Sequence, residues 1–393
     1  MSTRSKASPT RPPAPLARRL GAVATTAALG VGLVAAAPAA TATSTDDDTI
    51  LVVGKTLGFR HSHIDDTTRA LIDLGAEHGF DVDVWDPPND SGGWWGPGSP
   101  GQPDLTMGST PFTSPEDLAQ YASIVFVSPV DNTNSLDPAQ PRLLDDAELA
   151  ALQGYVHDGG GVVGIHAATD TMHTSGWFTQ LMGGGARFAN HPQQQTATMR
   201  VENAAHPSMA GVPLEWSRWD EWYNYTLNPR GDVQVLQTLD ESTYSGGSMG
   251  DDHPIAWCQN FEGGRSWHQG AGHVDEAWAD DTFLTMVLRG IEWTAGRVSG
   301  GGDCVTFGEV DGLVSALPTD TVRDVVAVRQ VTARLDAAEA ASDAGDRPVA
   351  LRHLRVAERL AGALVADREA AGALAAKVAD LSAWQEGLVA AGA

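Results

Sequence analysis

The run Ile50-Leu51-Val52-Val53-Gly54 is continuously apolar and of strand length, and a polar loop separates it from a helical pattern over about Asp65 to His78. Asp81 to Trp85 reads as the next strand. A Gly/Pro/Trp-rich stretch over 86–112 follows, and Ser114-Pro115-Glu116 then marks a helix start, with Ser as N-cap and Pro in the first turn. Ile124 to Ser128 is again a strand. A helix over about Asp145 to His157 stops at Gly159-Gly160-Gly161, and Val162 to Ile165 forms the next apolar run. Apolar strands alternating with helices predict a parallel sheet covered on both faces. Residues 196–275 change character, with short strands at Val233 to Leu239, Ile255 to Gln259 and Arg265 to Gln269 between polar, Gly- and Trp-rich loops. A helix over about Asp280 to Thr294 closes an α/β domain assigned to residues 43–298.

The pattern switches at the Gly/Ser-rich segment 299–304, read as a linker. Beyond it, over 305–393, apolar residues recur at helical spacing in Val325, Val328 and Leu335, in Leu354, Ala361 and Leu364, and in Leu374, Val378, Leu381 and Leu388. Three helices in an antiparallel bundle are expected, with Pro318 and Pro348 at helix starts and Gly345 at a stop. This tail is an interaction or spacer module, or an inert helical cap, and is expected to be dispensable for activity.

Residues 1–42 are a different material. Arg4, Lys6, Arg11, Arg18 and Arg19 precede an apolar run from Leu20 to Ala37, and no acidic residue occurs before Asp46. That arrangement reads as an export signal cut near Ala42, so a secreted protein is expected, by the general route or, given Arg18-Arg19, the twin-arginine one. The run is short and rich in Gly, Ala and Thr, too weak for stable membrane insertion.

Charge narrows the partners. With 50 Asp plus Glu against 25 Lys plus Arg, the net charge of −25 offers no broad basic surface, which argues against nucleic acid and anionic membranes. The 12 Trp in a chain that is only 19% charged suit a small-molecule carbohydrate partner as well as core filling. A homo-oligomer stays open. Of the two cysteines, Cys258 lies in an apolar run, so pairing with Cys304 and a buried free thiol both remain open.

Eleven of the 12 His lie between His61 and His273. His166 follows a buried strand directly, between Ile165 and the small Ala167 and Ala168, which permits a sharp turn presenting the side chain at the carboxyl edge of the sheet. Related turns elsewhere present Ser or Cys; with His there, acyl-enzyme chemistry from this position is excluded and acid/base or metal chemistry remains. Asp170 is placed to orient that imidazole, or to cap a helix. His61, in Phe59-Arg60-His61-Ser62-His63, follows the first strand and is expected to converge with His166. His191, Asp220, Glu221, Trp222, Tyr223 and His273 add polar and aromatic groups suited to a sugar. The candidate catalytic set is His166, His61, Asp170 and Glu221, the substrate-binding set Asp220, Trp222, Tyr223, His191 and His273. His61, His166 and His191 are the candidate metal ligands, and zinc or a similar divalent ion is the candidate cofactor.

Gly58-Phe59-Arg60-His61, the run from Gly159 to Asp170, Asp220-Glu221-Trp222-Tyr223-Asn224, Asp252-His253-Pro254-Ile255-Ala256-Trp257, Gly263-Gly264-Arg265 and Gly272-His273 together resemble the ThuA-like, trehalose-utilisation family over roughly residues 50–297. The resemblance implies a flavodoxin-like, doubly wound, mostly parallel sheet of the class I glutamine amidotransferase type, without the amidotransferase cysteine, followed here by the helical tail. It also implies a role in trehalose or disaccharide catabolism through 3-keto sugars. The chain departs from the family at Trp267-His268-Gln269, where relatives carry an aromatic pair and a small residue. The functional expectation is an isomerase, lyase or hydrolase acting on a 3-keto sugar or glycoside by acid/base, metal-assisted or not, chemistry. The alternative is a catalytically silent carbohydrate-binding module.

Overall fold

The computed structural model describes residues 49–87, 109–317, 319–362 and 367–391. The expected export signal, most of the Gly/Pro/Trp-rich stretch and Pro318 lie outside the described residues.

Strands β1 (Thr49–Val53), β2 (Asp81–Trp85), β3 (Tyr121–Val127) and β4 (Gly161–Ile165) alternate with helices α1 (His63–His78), α2 (Pro115–Leu118) and α3 (Asp146–His157). Helix α4 (Gly176–Gly183) then leads into β5 (Phe188–Asn190), β6 (Gln195–Val201), β7 (Glu215–Asp220), β8 (Asn224–Tyr225), β9 (Gln234–Asp240), β10 (Pro254–Phe261), β11 (Gly264–Gln269) and α5 (Asp281–Thr294). Nine strands form one sheet in the order β2-β1-β3-β4-β11-β10-β9-β6-β7, while β5 and β8 pair separately.

The first five strands of that order are parallel, and this half is the expected doubly wound part. Its strands are buried on both faces, so alternate residues of one apolar run serve two cores. Ile50, Val52, Val125, Val127, Val163 and Ile165 pack on the side of α1 and α5. Leu51, Val53, Ile124, Phe126 and Val162 pack on the side of α3 and α4. Helix α3 begins as its sequence dictates, with the Asp145 carboxylate accepting from Ala147 and Glu148 N–H, and Glu148 closing the capping box. The chain reverses between β10 and β11 at Glu262 (φ 49°) and Gly263 (φ 105°), a two-residue turn with both φ positive that suits an antiparallel hairpin. From β10 outward every pairing is antiparallel.

The helical tail contains four helices among the described residues: α6 (Phe307–Ser315), α7 (Val322–Asp343), α8 (Arg347–Ala361) and α9 (Arg368–Ala391). The expectation of three missed α6, a short helix started by the Thr306 side chain, which accepts from Glu309 N–H. Pro348 does sit in the first turn of α8, and Gly345 takes φ 72° just past the end of α7. Val310, Leu335, Leu354, Leu374, Val378 and Leu381 form the core of this bundle.

Segment 299–304, read as a linker from its composition, is packed against the sheet domain. Gly300, Gly301 and Gly302 take φ of 137°, 64° and 88°, and a side chain on Gly301 would collide with the His206 backbone. Only glycine permits this close, left-handed turn. Asn203 donates to the Gly301 carbonyl at 2.5 Å, Gln234 to that of Val305 at 3.2 Å and Asn260 to that of Asp303 at 3.0 Å. Cys258 of β10 and Cys304 are joined in a disulfide with Cα atoms 5.6 Å apart, which settles the open question of their pairing. Among the described residues no helix is long and apolar enough to cross a membrane.

Candidate active site at the carboxyl edge of the sheet

Four segments bring the histidines together. His61 lies in the loop after β1, His166 is the first residue after β4, Glu221 follows β7, and His273 lies three residues beyond Gly270, where β11 has ended. Parallel β1, β4 and β11 point the same way, so their carboxyl ends share one edge. One ligand atom from each of His61, His166, Glu221 and His273 lies within 4.8 Å of all the others.

His166 is fully buried and takes φ 47°, the strained left-handed conformation that a strand-to-helix elbow demands. Its Nδ1 lies 2.9 Å from the Gly270 carbonyl. A carbonyl only accepts, so Nδ1 carries the hydrogen and Nε2 keeps a lone pair. That lone pair faces Glu221 Oε2 at 3.3 Å and His273 Nδ1 at 3.2 Å. His273 also meets Glu221 Oε2 at 3.3 Å and is held from behind by the Gln194 side-chain amide at 2.7 Å. The His61 ring stands edge-on to both, 5.0 Å from each centroid, and its buried Nδ1 has no hydrogen-bond partner among the described residues.

His191 closes the group on the outer side, with Nδ1 3.1 Å from Glu221 Oε1 and a side chain 37% exposed against 9% for Glu221. The Phe188 ring packs on Tyr223 at 4.4 Å, and Tyr223 packs on His166 at 4.5 Å, which gives this side an aromatic wall.

Burial drives the electrostatics. It holds His61 well below the ordinary imidazole value and, with the neighbouring His166, lowers His273 to about 4. Burial alone would raise the Glu221 carboxyl, but the imidazoles of His166, His273 and His191 more than reverse this and leave it below its ordinary value. An ionised carboxylate amid imidazoles with unfilled lone pairs can relay protons or hold a first-row divalent ion through His61, His166, His273 and Glu221.

The structure brings His61, His166, His191, Glu221, Tyr223 and His273 together and reassigns three other expected site residues. Asp170 does not orient His166; it lies 3.2 Å from His173 Nε2, because the turn after β4 carries it away, and the Gly270 carbonyl takes the orienting role. Asp220 does not reach a ligand, since it is fully buried with its oxygens accepting from the N–H groups of Glu221, Gly272 and His273. It positions the loop that carries His273. Trp222 is a core residue with no exposed surface, its indole N–H bound to the Gln195 carbonyl at 2.8 Å. His191 stands outside the four-ligand group, and His273 and Glu221 complete it in its place. Sequence reasoning passed over Gln194 and the Gly270 carbonyl; the Gly270-Ala271-Gly272 run before His273 was the available signal for the latter. His63, also near, is satisfied by the hydroxyls of Thr67 and Ser128 at 2.9 and 2.8 Å and is structural.

A cavity of about 670 Å³ lies away from this edge, among Arg230, Asp252, Phe307, Asp343, Arg347 and Trp384. The histidine cluster is instead a mostly buried recess, with His191 its most exposed member.

The trehalose-utilisation (ThuA) family profile matches residues 49–294, the span that carries every one of these groups. Among solved structures, a ThuA-like protein of Bacteroides uniformis is 24% identical, with 66% of this chain and 95% of that one covered at a TM-score of 0.50. A ThuA-like protein of Parabacteroides merdae is 22% identical, with 64% and 91% covered at a TM-score of 0.45. No curated protein is significantly similar to the chain. The family match takes in well over half of the sequence and the first of these structures agrees with it in fold, so the chain belongs to the ThuA, or trehalose-utilisation, family.

Proposed function

We propose that the chain is a secreted enzyme of trehalose and related disaccharide breakdown, acting on a 3-keto sugar or 3-keto glycoside by acid/base chemistry at the histidine–glutamate recess. The observation that carries this reading is the convergence of His166, His191 and His273 on the single carboxylate of Glu221, with His191 alone of the three substantially open to solvent. Imidazole is the side chain best suited to take and return a proton near neutral pH.

A ketone at C3 acidifies the hydrogen on C2, because the carbanion spreads onto the carbonyl oxygen. His191 Nδ1 faces two acceptors, the Pro192 carbonyl at 2.9 Å and Glu221 Oε1 at 3.1 Å, so it carries the hydrogen and Nε2 is the basic atom. Nε2 removes the C2 proton and an enolate forms. The ketone then re-forms as a C1=C2 double bond is made and the bond from C1 to the glycosidic oxygen breaks; the departing alcohol takes a proton from the imidazolium. Water adding across the double bond completes net hydrolysis. Glu221 steadies the cationic His191, and the partly exposed Phe188 ring beside His191, backed by Tyr223, offers a surface to the apolar face of the sugar.

Incubation with 3-keto-trehalose in D2O, followed by proton NMR, tests this. Loss of the C2 proton signal and release of glucose are expected, slowed about a hundredfold or more in His191→Ala. Saturable binding with neither exchange nor release would instead establish a silent carbohydrate-binding module. Export is tested by recovering the chain outside the cell with its basic N-terminal segment removed near Ala42.

A further inference from the structure

We propose that His61, His166, His273 and Glu221 form a site for one first-row divalent metal ion, with zinc the ion its donors suit best. The inference concerns what the recess binds and does not depend on the keto-sugar reading.

Proton counting carries it. The hydrogen of His166 sits on Nδ1, committed to the Gly270 carbonyl, so a bare Nε2 lone pair points at a carboxylate oxygen 3.3 Å away. Two acceptors at that distance repel unless something positive lies between them. The same oxygen stands 3.3 Å from His273 Nδ1, and the buried His61 Nδ1 beside them has no hydrogen-bond partner among the described residues. The Gln194 amide nitrogen stands 2.7 Å from His273 Nε2; turning that amide over, an exchange of its nitrogen and oxygen, lets Nε2 donate and makes Nδ1 too a free lone pair. A proton shared within one pair would satisfy two of these groups and leave the others facing each other.

The spacing fits an ion. Ligands at about 2.0–2.1 Å from a tetrahedral zinc stand about 3.3–3.4 Å apart, and the separations among His166, His273 and Glu221 are 3.2 to 3.3 Å. Three imidazoles with one carboxylate select zinc and its neighbours over magnesium or calcium, which take oxygen donors. The surroundings also match a metal site. The second ring nitrogen of His166 is pinned by a backbone carbonyl and that of His273 by Gln194, while the outer oxygen of Glu221 is held by His191. An ion so held, next to His191, would be placed to polarise a substrate carbonyl.

The test is metal content and spectroscopy on the full chain, with no substrate present. The protein is stripped with chelator, dialysed, and titrated with Zn²⁺ or Co²⁺. One equivalent per chain is expected, and for Co²⁺ the visible bands of a four- or five-coordinate nitrogen–oxygen site. Loss of an outer-shell partner typically weakens binding about 10–100-fold, so His191→Ala is expected within that range, and Glu221→Gln and His273→Gln beyond a hundredfold. His157→Ala, at an exposed histidine, is expected to bind as the parent does. Circular dichroism separates lost binding from lost folding, and the two ligand variants on the accessible side keep the test open if His166 variants fail to fold. Folded wild-type chain that binds neither ion, or ligand variants that bind as tightly as wild type, would overturn the proposal. Metal bound without keto-sugar turnover would count against the function and leave the metal site standing; turnover by a chain that binds no metal would do the reverse.

Discussion

Two clusters of metal-ligating side chains lie among the described residues, and their lone pairs are spent differently. At the carboxyl edge of the sheet, His166 Nε2 and His61 Nδ1 point at other acceptors or at nothing. Beneath the tail, His206, Cys258 and Cys304 stand equally close, yet that group is closed. The sulfurs are bonded to each other, His206 Nδ1 accepts from Ser208 N–H at 3.3 Å, and Nε2 is left to donate to Cys304 Sγ at 3.4 Å. Both groups are of metal-ligating types held equally close; only the first retains unfilled lone pairs. The difference assigns chemistry to one cluster and stability to the other, and it should appear as a double dissociation under mutation.

The widest separation is expected at the closed cluster. The Cys258–Cys304 bridge spans 46 residues, and a loop of that size constrains the unfolded chain by about 4 kcal/mol. Cys304→Ser should therefore lower stability to denaturant by up to that order, with activity per folded molecule unchanged. A chain ending at Arg297 loses the bridge and also uncovers the polar groups of Asn203, Gln234 and Asn260 that now bind segment 301–305, so it should fall further. Full stability in the truncated chain would return the tail to the status of a dispensable module.

The open cluster should respond in the opposite way. His166→Asn and His166→Ala are both expected to reduce kcat on a keto sugar about 10–100-fold, because each removes the imidazole paired with Glu221, the carboxylate that steadies the base His191. Asn tolerates the left-handed backbone at this position better than Ala does, so the Asn variant should be the more stable of the two. Equal activity losses with that order of stability would separate the chemistry of the imidazole from the strain of the elbow. A variant that retains near-wild-type kcat would remove His166 from the mechanism.

The sequence made the open cluster partly visible and the closed one hardly at all. Buried parallel strands are continuous apolar runs, so β1 and β4 could be read directly, and a histidine at the end of each then had to lie on the same sheet edge. His273 depends on β11 pairing with β4, and Glu221 on the antiparallel order β11-β10-β9-β6-β7, both matters of long-range pairing that local pattern does not encode. Asp220 and Trp222 looked like ligand groups because acidic and aromatic residues adjoin there. Which of two neighbours faces the recess and which the core is a one-residue question of strand phase, and it fell to Glu221 and Tyr223. The glycines of 300–302 have the composition of a linker, yet the same freedom of φ serves a tight buried turn.

The smallest expected effect is the share of the pH dependence of stability that the closed cluster contributes. Burial lowers His206 to about 3 from an ordinary value near 6.5. In the folded protein its ring stays neutral through mildly acidic pH, while in the unfolded chain it takes up a proton below 6.5. The unfolded state therefore binds more protons, and stability falls as pH drops from about 6.5 towards 3. For this one group the loss amounts to about 2 kcal/mol at pH 5 relative to pH 8. His206→Gln should be less stable than wild type at pH 8, because the Ser208 and Cys304 contacts are altered, but its stability should decline less steeply on acidification. Denaturant titrations of both proteins at pH 8, 6.5 and 5 give the difference in slope. The His61 and His273 imidazoles are also lowered by burial, so both proteins share a background loss over the same window, and the comparison between them cancels it. Parallel curves would mean that His206 is already protonated in the fold or already reached by water, and the closed cluster would no longer differ from the open one in the way its hydrogen bonds indicate.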